Sequence, residues 1–263
     1  PLAAAYFEKA IAILGPGAPA ARLAAILEAL GNTLIGSGER KKALAVLERL
    51  SLLYQRAGSP REWARVEYNL GNLCCDLATG GAPLRWEEAV RHYRNALTVR
   101  KEQADPAHFA ATAQNLGTAY REMPGAGHED NLRRAIAWYY AAFRACFRAH
   151  LTQKRADLHN NLGNAFLDLA SSPHSSPRNA RRALNHFARA LRLRTKAERP
   201  RDYAVTQFNL GQSYLRLAGG DEAEGARRAA ACFHEALEGF MLCGDTYHAG
   251  LARKRLAAVE TAA

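Results

Sequence analysis

The sequence has few of the features that mark membrane, secreted or disulfide-stabilised proteins. No apolar run approaches the ~20 residues that a membrane-spanning helix needs, and the opening residues lack a signal-peptide pattern. The five cysteines are odd in number and form neither a paired framework nor a CxxC metal pattern. We therefore expect a cytoplasmic protein whose cysteines are reduced, with no membrane partner.

Common catalytic motifs are also missing. The sequence contains no GxSxG elbow, no HExxH zinc motif and no glycine-rich phosphate loop. The adjacent Cys74 and Cys75 fall in a helix-like apolar pattern, so buried helical cysteine is their expected role. The sequence therefore predicts a chain that is not an enzyme and that needs no cofactor and no metal. If the full-length protein is an enzyme, we expect its catalytic domain outside this sequence.

Negative charge is scarce relative to positive charge. The 36 Lys and Arg residues against 25 Asp and Glu give a formal net charge of +11, and arginine supplies 29 of the cations. A basic chain can indicate nucleic acid or an anionic surface as partner. The same bias toward arginine and alanine also follows from a GC-rich bacterial genome, so composition leaves both interpretations open.

The chain begins with Pro1 rather than methionine, and "PLAAAYFEKAIAIL" is already helical in pattern. We expect it to be a piece of a longer polypeptide.

What the sequence does contain is an internal repeat. Asn-Leu-Gly occurs as "YNLGN", "QNLGT", "NNLGN" and "FNLGQ", with a weaker "ALGNT" before them. A second pattern, Ala-x3-aromatic-x2-Ala, alternates with it and has one degenerate copy. From its first alanine to the next Leu-Gly glycine the spacing is always 28 residues, whereas the return spacing varies from 12 to 20. A constant and a variable junction indicate a rigid packed joint alternating with a tolerant loop.

The repeat is helical in period. Apolar residues recur at spacings of 4, 3 and 4, and strand-like alternation is absent. Pro60, Pro106 and Pro200 each follow the first alanine by 17 residues, which predicts a short turn before a new helix. The glycine and the small alanines let antiparallel helices approach closely, and the aromatic residue fills the gap. Because each pair leaves an apolar face uncovered, the pairs are expected to stack.

These residues resemble the tetratricopeptide repeat (TPR) family across nearly the whole chain. The aromatic that the family places after the glycine is matched by Tyr120, Phe166 and Tyr214. The resemblance implies an all-α solenoid, a right-handed superhelix of antiparallel helix pairs. The early tryptophan of the family is missing, and its position holds Glu67, Ala113, His159 and Gln207.

The long repeats look most like bacterial arrays that accompany CHAT protease or STAND ATPase domains, and kinesin light chain repeats are a more distant likeness. We predict a single array over residues 1–263. In each pair the first-type helix carries the Leu-Gly motif and the second-type helix carries the Ala-x3-aromatic-x2-Ala pattern. The array starts with a lone second-type helix over 1–15 and continues with helix pairs over 22–57, 61–104, 107–150, 154–198 and 202–243. It ends with a terminal helix over 246–261.

The asparagine before each buried leucine lies beside the apolar stripe of its helix. In the TPR family the first helix of each pair lines a concave surface, so the resemblance implies parallel polar stripes across a groove. Asparagine costs roughly half a kcal/mol against alanine in a helix, so four in register suggest a role. We predict that these carboxamides bind the main chain of an extended peptide. The alternative is that they join neighbouring helices by bonding backbone or one another.

Flanking residues complete the predicted groove. Tyr68, Phe208 and the nearby charges are expected to select ligand side chains. Acidic residues near the middle predict a preference for a ligand with Lys, Arg or a free amine, and the alternative is ordinary solvated charge. The groove residues are Arg65, Tyr68, Asn69, Asn72, Asn115, Thr118, Glu122, Asp157, Asn161, Asn164, Asp168, Phe208, Asn209, Gln212 and Arg216.

Pairs of cations precede four of the repeat alanines. Cations at a helix start oppose the helix dipole, so the pairs are not expected to stabilise their own helices. They could form a basic ridge that binds phosphates without sequence preference, or form ion pairs with nearby acids such as Glu129, Asp130, Asp221 and Glu222. The ridge residues are Lys41, Lys42, Arg133, Arg134, Arg181, Arg182, Arg227 and Arg228.

The sequence thus predicts a non-catalytic protein–protein interaction or scaffold module. Its ligand is a protein, a peptide or a domain of the same polypeptide, and the module regulates a larger bacterial protein. Nucleic acid or an acidic partner on the basic ridge is the alternative, although no recognition helix or RNA-binding aromatic motif occurs. Self-association is left open.

Overall fold

A computed structural model describes residues 2–14, 19–82, 84–172, 176–217 and 222–261. Within these ranges the chain forms twelve α-helices and no strand. The predicted all-α fold class is confirmed.

The helices fall into two compact units. Unit 1, Pro1–Ala126, contains α1 (Leu2–Leu14), α2 (Ala20–Gly36), α3 (Arg40–Arg56), α4 (Pro60–Thr79), α5 (Arg85–Val99) and α6 (Pro106–Glu122). Unit 2, Gly127–Ala263, contains α7 (His128–Arg148), α8 (Thr152–Ala170), α9 (Pro177–Leu193), α10 (Pro200–Leu217), α11 (Glu222–Leu242) and α12 (Thr246–Glu260). The boundary falls within the predicted pair 107–150, and the single array over 1–263 stays a prediction.

The repeat glycines allow an aromatic ring to press against the helix backbone. A Cβ atom on Gly71 would lie 2.6 Å from the Tyr93 ring, and one on Gly163 would lie 2.5 Å from the Phe187 ring. Real Cβ atoms do not come so close, so only glycine fits at these two positions. The aromatic rings are fully buried, as the repeat pattern predicts.

From α3 onward, two kinds of turn connect the helices across the junction of constant spacing. Three-residue turns follow α3, α7 and α11, and each places one residue in the left-handed region: Gly58 (φ 62°), His150 (φ 53°) and Gly244 (φ 72°). Six-residue turns follow α5 and α9, and they begin with Arg100 and Arg194 in extended backbone. Both arginines are buried, with 8% and 5% of their surface exposed. The same spacing of 28 residues therefore accommodates both the three-residue and the six-residue turn.

Candidate functional site

In unit 1 two of the predicted groove amides are joined to each other. Asn115 Nδ2 on α6 donates to Asn72 Oδ1 on α4 at 2.9 Å and to the Tyr68 hydroxyl at 3.0 Å. The Tyr93 hydroxyl on α5 donates to the same Asn72 oxygen at 2.7 Å. These bonds tie three helices together, which is the alternative interpretation of the amides. Asn69 is half-buried, and its side chain has no hydrogen-bond partner among the described residues.

The other unit 1 residues of the predicted groove also contact the protein itself. The Tyr68 ring lies 6.0 Å from that of Tyr93, and the Arg100 guanidinium lies over it at 4.8 Å. Arg65 forms a two-pronged ion pair with Glu28, at 2.6 and 2.8 Å, and these hydrogen bonds raise its pKa. At the end of α6, Glu122 pairs with Arg121 at 2.7 Å, and Thr118 donates to the Gln114 carbonyl at 3.2 Å.

In unit 2 most of the predicted amides are unused. Asn161 and Asn164 on α8 and Gln212 on α10 are half-buried, and within the described part of the chain their side chains form no hydrogen bond. Asn209 Nδ2 reaches Asn160 Oδ1 at 3.5 Å, the outer limit of a hydrogen bond. Asn160 is a buried residue that the sequence reasoning did not single out, although it is part of "NNLGN".

Charged and aromatic groove residues of unit 2 have internal partners. Asp157 pairs with the buried Arg194, and Arg199 lies 3.9 Å away, so its negative charge is offset. Arg216 donates to the Leu167 carbonyl at 3.2 Å and to the Ser171 hydroxyl. The Phe208 ring packs 5.4 Å from the Phe233 ring. Asp168 is half-buried and has an interaction partner.

The ridge cations are exposed, and several pair with acids of their own helix start. Lys42 contacts Glu39 at 2.6 Å, and Arg133 contacts Glu129 and, at 3.0 Å, Asp130. These are the short-range ion pairs that the alternative interpretation anticipates.

Some of the remaining ridge residues form ion pairs, and some lie near aromatic rings. Arg227 and Arg228 share Glu224 rather than Glu222, and Asp221 lies outside the described residues. The guanidinium of Arg182 lies 5.5 Å from the Phe166 ring, and that of Arg228 lies 5.7 Å from the Tyr214 ring. Lys41 and Arg181 are exposed, and Arg134 is exposed and has an interaction partner.

Two of the four residues at the position of the missing tryptophan are buried polar groups, Glu67 and His159. In unit 1 the Glu67 carboxylate accepts from Ser51 at 2.6 Å and Asn95 at 2.8 Å, and it lies 2.9 Å from His92 Nδ1. Burial raises the pKa of Glu67, but these hydrogen bonds outweigh it and hold the pKa below its usual value. In the sequence, this buried carboxylate is indicated by Glu67 at a position where the TPR pattern has tryptophan.

In unit 2 this position is His159 on α8 and Gln207 on α10. His159 Nδ1 lies 3.0 Å from His186 Nδ1, among Tyr140, Phe143 and Phe166. Burial is the main reason that the pKa of each histidine is lowered to about 4.

The buried thiols are poor nucleophiles. Burial raises the pKa of Cys74 to about 12 and the pKa values of Cys146 and Cys232 to about 11. They remain protonated at neutral pH, which suits cysteines that fill a helical core. Among the described residues no group of three or more potential ligands could hold a metal ion, and no helix is long and apolar enough to cross a bilayer.

Solved structures with similar folds define the class of fold. The chain matches BtubC (BKLC) from P. vanneervenii with a TM-score of 0.67 and 21% identity, over 92% of this chain and 89% of that one. It matches MamA with a TM-score of 0.56 and 15% identity, over 84% of this chain and 93% of that one. No protein-family model and no curated protein matches the sequence. The fold is therefore a TPR-like helical repeat.

Proposed function

We propose that this chain is a non-catalytic interaction module that binds an extended peptide or a partner domain on the polar faces of its first-type helices. The observation that carries the proposal is the set of unused amides in unit 2, Asn161, Asn164 and Gln212. Each carboxamide offers a donor and an acceptor, which is what the main chain of an extended peptide requires. In unit 1, Asn69 has the same free capacity.

A scaffold role agrees with the TPR-like fold, in which function lies in grafted surface residues. We propose further that the module is a regulatory part of a larger bacterial protein, of the kind in which such arrays accompany CHAT protease or STAND ATPase domains. The raised pKa values of the buried thiols also favour a non-catalytic chain.

The test is an affinity capture with the purified chain, read by mass spectrometry at low and moderate salt. Wild type is compared with Asn161→Ala/Asn164→Ala, and Gln153→Ala is the matched control because it removes an exposed amide from the same helix. We expect a protein partner that wild type and the control retain at moderate salt and that the double variant loses. Equal capture by all three would contradict the proposal.

Nucleic acid on the basic ridge remains the second candidate, but the ion pairs of Arg133, Arg227 and Arg228 within their own helices do not favour it. Nucleic acid recovered only at low salt, and equally by the double variant, would transfer function to the ridge.

A further inference from the structure

Two buried arginines occupy equivalent positions in the two units. Arg100 and Arg194 each follow the first alanine of their repeat by 11 residues and open a six-residue turn. Each donates from Nη1 to a buried threonine on the next helix, Arg100 to Thr112 at 2.8 Å and Arg194 to Thr206 at 3.0 Å. The two sites are therefore a natural pair for comparison.

The counterion differs between the two. In unit 2, Arg194 pairs with Asp157, which stands six residues before the Leu-Gly glycine of α8. The residue six before the glycine of α4 is Arg65, so unit 1 has a second cation where unit 2 has a carboxylate. Among the described residues no carboxylate lies within ion-pairing distance of Arg100. Arg100 is held by the Thr112 hydroxyl and by the Tyr68 ring, but no carboxylate neutralises its charge. A buried guanidinium without a counterion favours an anion nearby.

An open cavity meets Arg100. Its volume is about 500 Å³, and its polar lining consists of Arg61, Arg65, Arg100, Asp105 and His108. Asp105 is already bonded to His108 Nδ1 at 2.8 Å. If Glu28 is counted with its partner Arg65, three arginines face two carboxylates and one positive charge is left over.

Burial is the main cause that lowers the pKa of Arg100. Tyr68 and Asp105 act in the opposite direction, and the neighbouring Arg65 adds to the lowering. The first turns of α4 and α6, at Arg61 and His108, also border the cavity and add the partial positive charge of helix N-termini.

We propose that this cavity binds a carboxylate from an acidic segment of a partner protein, in the place beside Arg100 that Asp157 takes beside Arg194. The inference rests on the proposed interaction function and specifies the ligand chemistry. The excess of one positive charge suits a single carboxylate, and unit 2 provides an example of that pairing. The proposed segment is acidic, whereas Glu122, Asp157 and Asp168 favour a basic ligand in the predicted groove, which stays a separate prediction.

The test is a titration of the full chain with acetyl-Gly-Glu-Gly-amide, followed through the ¹⁵N side-chain signals of arginine. Acetyl-Gly-Gln-Gly-amide is the matched probe without charge. We expect saturable shifts of the Arg100 and Arg65 signals with the Glu peptide and none with the Gln peptide. Equal shifts with both peptides would overturn the inference.

A variant that supplies an internal carboxylate gives the second test. Arg65→Asp with Glu28→Gln copies the arrangement of unit 2 and removes the acid that would otherwise face the new aspartate. We expect at least about a tenfold weaker affinity for the Glu peptide, because the introduced carboxylate already forms the charge-assisted pair with Arg100. Unchanged affinity in this folded variant would also overturn the inference.

The two proposals fail separately. The titration does not involve Asn161 or Asn164, so partner capture that survives their replacement contradicts the amide proposal alone. A Glu peptide that leaves Arg100 unshifted contradicts the cavity proposal alone.

Discussion

The turns after α5 and α9 have the same length, the same buried arginine and the same arginine–threonine hydrogen bond, yet their charges are arranged in opposite ways. In unit 2 the ion pair between Arg194 and Asp157 is internal. In unit 1 the equivalent acid is replaced by Arg65, which Glu28 holds, and Arg100 has a cavity beside it. In these two repeats the cation is buried at the same position, and one residue on the preceding first-type helix, Arg65 or Asp157, decides whether its charge is neutralised within the chain.

The amides show the reverse difference, because more of them are bonded within the chain in unit 1 than in unit 2. In unit 1, Asn72 and Asn115 are bonded to each other and to tyrosines, whereas in unit 2 Asn161 and Asn164 are unused by the described residues. At equivalent repeat positions, Asn115 therefore joins helices of unit 1 and Asn161 is left available in unit 2. Four predictions test this contrast.

The largest effect is expected for Asp157→Ala. It leaves Arg194 buried without its carboxylate, and we expect unit 2 to lose about 3 kcal/mol in free energy of unfolding. Arg65→Ala should cost under about 1 kcal/mol, because the Arg65–Glu28 pair is partly exposed. Urea denaturation followed by Trp138 fluorescence, in a background with Trp63→Phe and Trp86→Phe, reports on unit 2 and measures the loss for Asp157→Ala. Trp63 and Trp86 fluorescence in a Trp138→Phe background reports on unit 1 and measures the loss for Arg65→Ala. Equal losses for the two variants would contradict the contrast.

The pH dependence should differ between the units. His159 and His186 have folded pKa values of about 4, below the usual 6.5, so the unfolded chain binds more protons as pH falls. The stability of unit 2 should therefore decline from pH 6.5 toward pH 4, by about 2 kcal/mol at pH 5.5, with Arg155 and Arg189 adding to the penalty on protonation.

In unit 1 the relevant acid is Glu67. Its folded pKa is lowered, so its contribution to stability is present above the usual value of 4.5 and is lost as pH falls through the folded value. Hydrogen exchange of each unit at pH 7 and 5.5 checks the difference. Unit 2 should lose protection first, and a simultaneous loss in both units would count against this assignment.

Asn115→Ala and Asn161→Ala form a matched pair at equivalent repeat positions. We expect Asn115→Ala to cost about 1 to 2 kcal/mol, because it removes two hydrogen bonds and leaves the Asn72 network incomplete. Asn161→Ala should change stability by under about 0.5 kcal/mol, since alanine is the better helix former and no internal bond is lost. Thermal unfolding of both variants measures the difference, and equal destabilisation would make both amides structural.

The smallest effect is expected for the double variant Arg65→Asp/Glu28→Gln without ligand. A carboxylate beside Arg100 should raise the stability of unit 1 by up to about 1 kcal/mol, offset in part by loss of the Arg65–Glu28 pair. Urea denaturation followed by Trp63 and Trp86 fluorescence detects it. A loss of several kcal/mol would show that Arg65 itself is needed in that place.

The helical fold was predictable because its determinants are periodic in sequence. The spacing from alanine to glycine identified the packed junction, and the contacts of Gly71 with Tyr93 and of Gly163 with Phe187 confirm why the residue types recur. The two kinds of turn were not predicted, because both fit within the same spacing. The sequence signal for the six-residue turns is an arginine followed by a threonine twelve residues later, which occurs in only two repeats.

The candidate site was harder to predict because hydrogen bonds depend on which neighbour a side chain faces. Asn115 and Asn161 are equivalent in the repeat, but only Asn115 has Asn72 and Tyr68 within reach. The acids near the middle of the predicted groove were identified from helix position alone. Position did not indicate that Asp157 faces the buried Arg194, a contact between residues 37 apart in sequence.

The most direct measurement is the Glu-peptide titration of wild type and Asp157→Asn, followed at Arg100 and Arg194. In wild type we predict saturable shifts at Arg100 and none at Arg194, because Asp157 already occupies the place of the ligand carboxylate. In Asp157→Asn we predict a second saturable site at Arg194. If Arg100 stays unshifted, or if Arg194 responds equally in both proteins, the account of one buried arginine met internally and the other by a partner is wrong.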